Sequence, residues 1–311
     1  MISFSTKIKE EITSKPFVVE REKALLSAYV KTNGFISYGK KISIVLKTQN
    51  AKVAGYIYSL FDKIYQIKPN ISFIKKMKLN KNITYSLSIN GDIKHILDDL
   101  GIIFLSDEIN LSFVKDDDLI GGYLGGVFLA SGSCNNPQSA NYHLEMQFDN
   151  LNYAKNIVRL IKKHKSKMFN PRIIQRRSNY IVYLKRSDQI SSFLVLIGAE
   201  ESCMEFENVR VDRDYRNIDN RWQICDEANL RRTISSAKQQ LEDIRIVENK
   251  CQDELAKSEK MRWLIRLRKE NDEASLRELA EMMSDIFDIE ISKSNVNHLF
   301  RKIHELAEGV K

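Results

Sequence analysis

The stretch "LIGGYLGGVFLASGS", residues 119–133, decides the fold, because it has the composition of a helix built almost entirely from small and apolar residues. It carries four glycines within six positions: Gly121, Gly122, Gly125 and Gly126. Glycine inside a helix costs up to about 1 kcal/mol relative to alanine, so these glycines need a compensating role. Small residues let two helix backbones approach closely. The stretch therefore predicts a helix packed tightly against a second helix.

The partner helix is found in an internal repeat. "LLSAYVKTNG", residues 25–34, lies about 98 residues earlier, and it also ends at a glycine, Gly34, as the later copy ends at Gly132. An alternating strand, an amphipathic helix, two more strands and a closing helix follow in both copies. Ser27 and Ala28 are expected to supply the surface that faces the glycines. The fold class predicted is α+β, a duplicated pseudo-twofold domain followed by an all-α domain.

The repeat sets the expected domain boundaries. An N-terminal helix, residues 1–19, precedes the first repeat, residues 20–105, and the second repeat, residues 106–200. Residues 201–224 are polar, rich in Arg and Asn, and show no clear helical or strand period before Ile224, so they are expected to form an interdomain linker. Residues 225–311 are expected to form a helical domain.

Composition indicates a folded protein without a cofactor. The chain is 43% apolar and 29% charged, and no apolar run comes near the roughly 18 residues that a membrane span needs. The first residues mix charges of both signs and lack an apolar stretch, so no signal peptide is expected. Cys134, Cys203, Cys225 and Cys251 are scattered, and the five histidines form no H-x-x-x-H pair, so no metal or cofactor is expected. Free thiols suit a reducing cytoplasm, so the expected location is cytoplasmic, at the nucleoid and not a membrane.

The positive charge is concentrated in the first two thirds of the chain. Residues 1–199 hold 29 basic and 16 acidic residues, whereas residues 200–311 hold 20 and 25. Residues 151–190 hold 11 basic residues against one acid, Asp188, interleaved with Tyr180 and Tyr183. A one-signed run of this kind is typical of nucleic-acid contact, although a solvated basic face is the alternative. The candidate phosphate contacts are Lys162, Lys163, Lys165, Arg176, Arg177, Lys185, Arg186, Arg216 and Arg221.

The two small-residue helices resemble the paired helices of LAGLIDADG homing endonucleases. In that family each helix ends in a carboxylate that holds a divalent cation. Asn33 and Ser131 stand at those positions here, and neither neutral side chain can balance such a cation. The resemblance therefore implies that the packing helices are retained while the catalytic residues are absent, so the chain is not expected to be an enzyme.

Four motifs, in the same order, resemble the WhiA family of bacterial transcription regulators. They are "SFSTKIKEEI", "YLGGVFLASGS", "ENVRVDRDYRNIDNRWQICDEANLRRTISSAKQQLEDI" and "SKSNVNHLFRKIHELAE". The resemblance covers nearly the whole chain and is weakest in the first repeat. It implies a degenerate LAGLIDADG-type domain joined to a C-terminal helix-turn-helix. In the family this architecture is linked to sporulation and cell division.

A helix-turn-helix is also predicted from the residues themselves, over about 275–306. Ser275 and Glu278 form an S-x-x-E capping box, and a second helix is expected to start at the Ser292 cap. Apolar residues at helical spacing turn inward: Val296, Leu299, Phe300 and Ile303. The free face is predicted to contact DNA and consists of Lys293, Ser294, Asn295, Asn297, His298, Arg301 and Lys302.

Two departures from the family pattern limit this transfer. The loop between the helices is about four residues longer than is usual in the family, and Asn295 and Leu299 stand where the family commonly has Gly and Arg. A further stripe over 230–244 is expected to be a packing or dimer seam. It consists of Leu230, Ile234, Ala237, Leu241 and Ile244.

Three functions stay open at this point. The first is a DNA-binding transcription regulator whose partners are double-stranded DNA and a second regulator or RNA polymerase. The second is a DNA endonuclease that cleaves through other carboxylates. The third is a regulator whose N-terminal domain binds an effector or a partner protein and does not contact DNA.

Overall fold

The computed structural model describes residues 2–38, 42–75, 83–104, 106–164 and 169–310. The chain divides into two compact units, Met1–Arg213 and Asp214–Lys311. Each unit has its own cluster of buried apolar side chains. Lys165, one of the candidate phosphate contacts, lies outside the described residues. No helix in the described ranges is both long and apolar enough to cross a membrane.

The first unit contains the duplicated domain that the sequence predicts. The first repeat runs α2 Val19–Asn33, β1 Phe35–Tyr38, β2 Ile42–Thr48, α3 Ala51–Tyr65, β3 Asn70–Lys75, β4 Ile83–Ile89 and α4 Ile93–Asp99. The second runs α5 Asp117–Ser131, β5 Gly132–Cys134, β6 Leu144–Phe148, α6 Leu151–Lys163, β7 Arg172–Arg176, β8 Asn179–Leu184 and α7 Ser187–Leu196. Helix α1, Phe4–Ser14, precedes both repeats. Asparagines at equivalent positions, Asn50 and Asn150, cap α3 and α6 through their side-chain oxygens.

Each repeat forms an antiparallel four-stranded sheet. The strand orders are β1-β2-β4-β3 and β5-β6-β8-β7. Alternate residues along the central strands are buried, as shown by the pairs Leu46 with Leu87 and Met146 with Val182. Because side chains alternate between the two faces of a strand, each sheet has an inner face packed on the helices and an outer face.

Helices α2 and α5 pack against each other through the predicted glycines. A Cβ atom on Gly126 would lie 2.1 Å from the carbonyl oxygen of Leu25, and one on Gly122 would lie 2.7 Å from that of Arg21. Ala28 faces Gly126, as expected. The expectation for Ser27 is wrong: its hydroxyl donates a hydrogen bond of 2.7 Å to the carbonyl oxygen of Leu100 after α4, so it does not face α5.

The segment expected to be an irregular linker is helical. Residues 201–224 belong to α8, Glu200–Lys250. Neither Gly nor Pro occurs between Gly198 and Gly309, so no residue in this segment breaks a helix. No hydrophobic residue between Phe206 and Ala237 is buried. This part of the helix is therefore solvent-exposed, and its role as a connection between domains stays a prediction.

The second unit is all-α. Its remaining helices are α9 Gln252–Ala256, α10 Glu259–Glu270, α11 Leu276–Phe287 and α12 Lys293–Glu308. The end of α8 joins its core through Ile244 and Val247. Of the predicted apolar stripe, Ala237 and Ile244 are buried, whereas Leu230 is exposed. The C-terminal end of the stripe, Leu241 and Ile244, thus packs within this unit.

Candidate nucleic-acid interface

The positions equivalent to the nuclease carboxylates serve a structural purpose. The side-chain amide of Asn33 donates hydrogen bonds to the hydroxyl of Tyr29, at 3.1 Å, and to the carbonyl oxygen of Lys47, at 2.6 Å. Its nitrogen thus joins the end of α2 to strand β2. The Ser131 hydroxyl donates to the carbonyl oxygen of Val127, one turn earlier in α5, over 3.4 Å. Neither side chain offers the anionic oxygens that bind a divalent cation.

A recess of about 300 Å³ lies beside these two residues. Its lining includes Asn33, Ser131, Gln147 and one carboxylate, Asp149. Hard cations such as Mg²⁺ need several oxygen ligands, and a single carboxylate does not supply enough of them. Within the described ranges, no group of three or more His, Cys, Asp or Glu residues could hold a metal ion. The recess therefore has one carboxylate, Asp149, beside the two neutral side chains.

The outer face of the second sheet carries a cluster of positive charge. Arg172 pairs with Tyr183 across β7 and β8, and Arg176 pairs with Asn179. In this register the arginines and Tyr183 share the face opposite the buried Val182 and Leu184. Arg176 has one weak partner, Glu145, at 3.9 Å. The two arginines are therefore placed to reach an anion outside the sheet.

Tyr183 is the centre of a stacked group on this face. The His143 ring stacks on it, with centroids 5.5 Å apart, and the Lys185 ammonium lies 5.4 Å from its ring centroid. His143 in turn contacts Glu145 at 3.0 Å. An aromatic ring beside a cation is a surface that suits nucleic acid, because it offers both stacking and charge. Tyr180, by contrast, lies on the inner side of the strand, opposite Phe148.

Arg172 was not among the predicted phosphate contacts, and the predicted basic residues other than Arg176 and Lys185 are not brought together with this face. Lys162 and Lys163 are at the end of α6, in the helical layer, and the Lys163 ammonium donates to the carbonyl oxygen of Val114 at 3.1 Å. Arg186 is exposed but pairs with Asp188 at 2.7 Å. Arg177 lies in the turn after β7, with a positive φ of 57°. Of these candidate phosphate contacts, Arg176 and Lys185 therefore lie with the sheet face. Lys162, Lys163, Arg177 and Arg186 are scattered.

The outer face of the first sheet has a different chemistry. By register it carries Ser72, Ser86 and Ser88 beside Val45 and Lys47. Hydroxyls can donate to phosphate oxygens but add no charge. Among the described residues, the first outer face thus combines hydroxyls with Lys47, whereas the second carries Arg172 and Arg176.

The predicted helix-turn-helix is formed by α11 and α12. The capping box is present: the Glu278 amide donates to the Ser275 hydroxyl and the Ser275 amide to the Glu278 carboxylate. These bonds lower the pKa of Glu278. Ser292 caps α12, as expected, by accepting from the Asn295 amide. The turn, residues 288–292, is fixed by Ser284, whose hydroxyl accepts from the Ile291 amide at 2.9 Å.

The face of α12 predicted to contact DNA is exposed, and ion pairs with described residues do not neutralise its positive charges. Lys293, Arg301 and Lys302 are exposed and make no ion pair with any described residue. Ser294, Asn295 and His298 are also exposed, and Asn297 is half-buried. The inward face is formed by the buried Val296, Phe300 and Ile303. Leu299, where an arginine was expected, is half-buried against this core and replaces a possible contact with a packing residue.

One residue that holds this unit together was not identified from the sequence. Arg268 of α10 is fully buried, and its guanidinium donates to the carbonyl oxygen of Ala274 at 2.6 Å and packs 5.5 Å from the Phe300 ring centroid. It therefore fixes the turn before α11 against α12. A charged residue in "WLIRLRKE" indicates solvent exposure, so no sequence signal pointed to this burial.

Arg216 and Arg221 lie on the exposed part of α8. Trp222, beside them, is 70% exposed. Closer to the helix start, Arg213 is instead occupied: its guanidinium donates to the carbonyl oxygens of Pro137 and Ser139, each at 2.7 Å. Arg216 and Arg221 are thus accessible, and their contact with DNA stays a prediction.

Comparison with known proteins matches the chain in three consecutive parts. Residues 19–103 match the WhiA N-terminal LAGLIDADG-like domain, residues 120–216 the WhiA LAGLIDADG-like domain, and residues 220–307 the WhiA C-terminal HTH domain. The chain is 37% identical over 314 residues to the probable cell division protein WhiA of Staphylococcus aureus strain USA300, covering 100% of this chain and 98% of that protein.

Solved structures agree on the fold. The crystal structure of full-length WhiA from Thermatoga maritima has a TM-score of 0.60 and 23% identity, covering 100% of this chain and 99% of that one. A structure of the N-terminal LAGLIDADG domain of WhiA has a TM-score of 0.51 and 23% identity, covering 63% of this chain and 90% of that one. Because the three WhiA family models match consecutive parts of the chain and the Staphylococcus aureus relative is 37% identical over the full length of this chain, the chain belongs to the WhiA family.

Proposed function

We propose that this protein is a sequence-specific DNA-binding transcription regulator whose LAGLIDADG-like domain has no nuclease activity. The observation that carries the proposal is the face of α12, on which three cations and several polar side chains are held by a capped, well-packed helix without an ion pair to a described residue. A recognition helix contacts base edges with its first residues and phosphates with its cations. The relatives' name suggests that the regulated process is cell division.

The duplicated domain contributes phosphate contacts in this proposal. The arginines and the Tyr183 group on the second sheet support a role that adds affinity without selecting a sequence. The neutral Asn33 and Ser131 support loss of cleavage, because no carboxylate pair is available for the cation. A second regulator or RNA polymerase is the further partner in this proposal.

The test is a salt titration of full-length protein binding to promoter duplexes from its own genome and to random duplexes, with Mg²⁺ present. R301A is expected to weaken binding to both duplexes and to reduce the slope of log K against log salt by about 1. N297A is expected to weaken promoter binding alone, by about 1–3 kcal/mol. E305A, an exposed change later in the same helix, is the matched control and should bind like the unchanged protein.

Two results would contradict the proposal. Equal affinity of the unchanged protein for promoter and random duplexes would remove sequence-specific recognition. Mg²⁺-dependent nicking of either duplex would show that the protein is an endonuclease.

A further inference from the structure

A second cavity, of about 750 Å³, lies in the first unit where α1 meets the loop between β2 and α3. Strand β4 and the end of α5 close its other sides. Its lining is polar and apolar in similar measure, and the polar part includes Thr6, Lys9, Lys47, Thr48, Asn50 and Thr84. A cavity of this size suits a small ligand or part of a larger one.

Lys9 of α1 lines this cavity without a counter-charge. Its ammonium makes no ion pair with a described residue, and it lies 5.9 Å from the ring centroid of Phe128. Burial lowers the pKa of Lys9 from 10.5 to about 8, and no neighbouring carboxylate raises it. A partly desolvated cation without a partner is costly to keep, so a bound anion would remove that cost.

The surrounding charges leave the cavity positive. Glu10 lines it, but its carboxylate pairs with Lys52 at 2.7 Å. Lys47 adds a second cation, whose ammonium lies 5.0 Å from the Phe35 ring centroid and makes no ion pair with a described residue. The residues between the described ranges include neither Asp nor Glu. Among the described residues, no carboxylate therefore pairs with either lysine.

The remaining polar groups can donate hydrogen bonds. The Asn50 oxygen accepts from the amides of Lys52 and Val53 at the start of α3, which leaves its NH₂ group as a free donor. Thr84 adds a hydroxyl. Two lysines and neutral donors thus line one cavity, and groups of these kinds bind a tetrahedral oxyanion with two negative charges.

We propose that this cavity binds a phosphate group through Lys9 and Lys47. The phosphate belongs either to a nucleic-acid backbone or to a free phosphate compound such as a nucleotide, and the chemistry of recognition is the same in both cases. The inference does not depend on the proposed regulator function, because a free phosphate compound would bind whether or not α12 contacts DNA.

The experiment compares full-length protein with K9M and with K7M, using thermal unfolding and calorimetric titration at constant ionic strength. The probes are inorganic phosphate, adenosine triphosphate and a random DNA duplex. K9M keeps an apolar stem of similar length and should fold, since it removes a partly buried charge. K7M removes the same charge from an exposed position on the same helix and is the matched control.

Lys9-dependent binding is expected, with at least a tenfold loss of affinity in K9M and no loss beyond about twofold in K7M. If the loss appears with phosphate or the nucleotide, the ligand is a free phosphate compound. If it appears only with the duplex, the ligand is a backbone phosphate. Equal affinities of K9M and K7M for every probe, or no binding of any probe to the unchanged protein, would overturn the inference. R301A should retain Lys9-dependent binding, which separates this site from the helix-turn-helix.

Discussion

The backbones of α2 and α5 approach each other closely at Gly126, so a larger residue does not fit there. An alanine Cβ there would lie 2.1 Å from the carbonyl oxygen of Leu25, and backbone must move to accept it. We expect G126A to lower the free energy of unfolding by about 1–3 kcal/mol or more, through overpacking of α2 against α5. Urea denaturation followed by circular dichroism measures the change.

Gly55 provides the matched control for this prediction. It lies on the exposed side of α3, and a Cβ atom there would meet nothing within 4 Å. G55A should therefore stabilise the first unit by about 0.5–1 kcal/mol, because alanine favours a helix more than glycine does. The same loss of stability in both variants would show that close packing is not the cause.

The partly buried ammonium of Lys9 predicts a pH dependence of stability. Its pKa in the folded protein, about 8, is below the ordinary value of 10.5, so between these values the unfolded chain holds a proton that the folded protein has released. Stability must then rise with pH over this window. The charged groups around Lys9 are Lys47, Glu10 and Lys52.

K9M isolates this effect from other titrations. At pH 7 and without phosphate, K9M should be more stable than the unchanged protein by about 1–3 kcal/mol, and the difference should shrink as the pH rises from 8 to 10. Urea denaturation at pH 7, 8, 9 and 10 measures it. A difference that stays constant across this range would mean that Lys9 is not desolvated in solution.

At the scale of elements, the start of the long helix α8 depends on a side chain from α1. The Glu11 carboxylate accepts from the amides of Glu201 and Ser202, at 2.7 and 2.8 Å, and from the Ser202 hydroxyl at 2.6 Å. Burial alone raises the pKa of Glu11, but these bonds and Lys15 outweigh it and hold the pKa below its usual value. The carboxylate thus satisfies amides that every helix start leaves free.

E11Q should therefore reduce stability at neutral pH by about 1–3 kcal/mol, since an amide is a weaker acceptor and brings an extra donor. Because the folded-state pKa is lowered, this stabilisation is complete above the ordinary value of 4.5 and is lost as the pH falls through the lower folded value. Thermal melts of both proteins from pH 7 to 3 should converge at the acid end. E10Q, which changes the carboxylate one residue earlier, is the control. If the melting temperatures of E11Q and the unchanged protein differed by the same amount at every pH, the capping role would be contradicted.

Elements with a strong local signal were predictable, and contacts decided by the tertiary structure were not. The two repeats showed the periods of strands and helices, and the Ser275 and Ser292 caps showed start signals, so these predictions are confirmed. Residues 201–224 lack an apolar stripe because no core covers them, and the absence of Gly and Pro was the signal for a helix. Lys9, Arg268 and Ser27 depend on neighbours from distant segments, which sequence spacing does not reveal.

At the scale of the whole molecule, two separate cores imply two independent folding units. The core of the first unit ends at Phe206 and that of the second begins at Ile244, with the exposed part of α8 between them. A cut between Arg213 and Asp214 removes no buried hydrophobic contact. We therefore expect the two fragments, residues 1–213 and 214–311, each to fold with a cooperative unfolding transition.

The same fragments test how DNA recognition is divided. Positive charge is concentrated in residues 1–199, with 29 basic against 16 acidic residues, so fragment 1–213 should bind any duplex with a steep salt dependence. Fragment 214–311 carries α12 and should prefer promoter over random DNA while binding weakly. Electrophoretic mobility shift at 50 to 200 mM salt measures both. If fragment 1–213 fails to bind DNA although it is folded, its basic sheet face must serve an effector or a protein partner, and α12 alone would then account for contact with DNA.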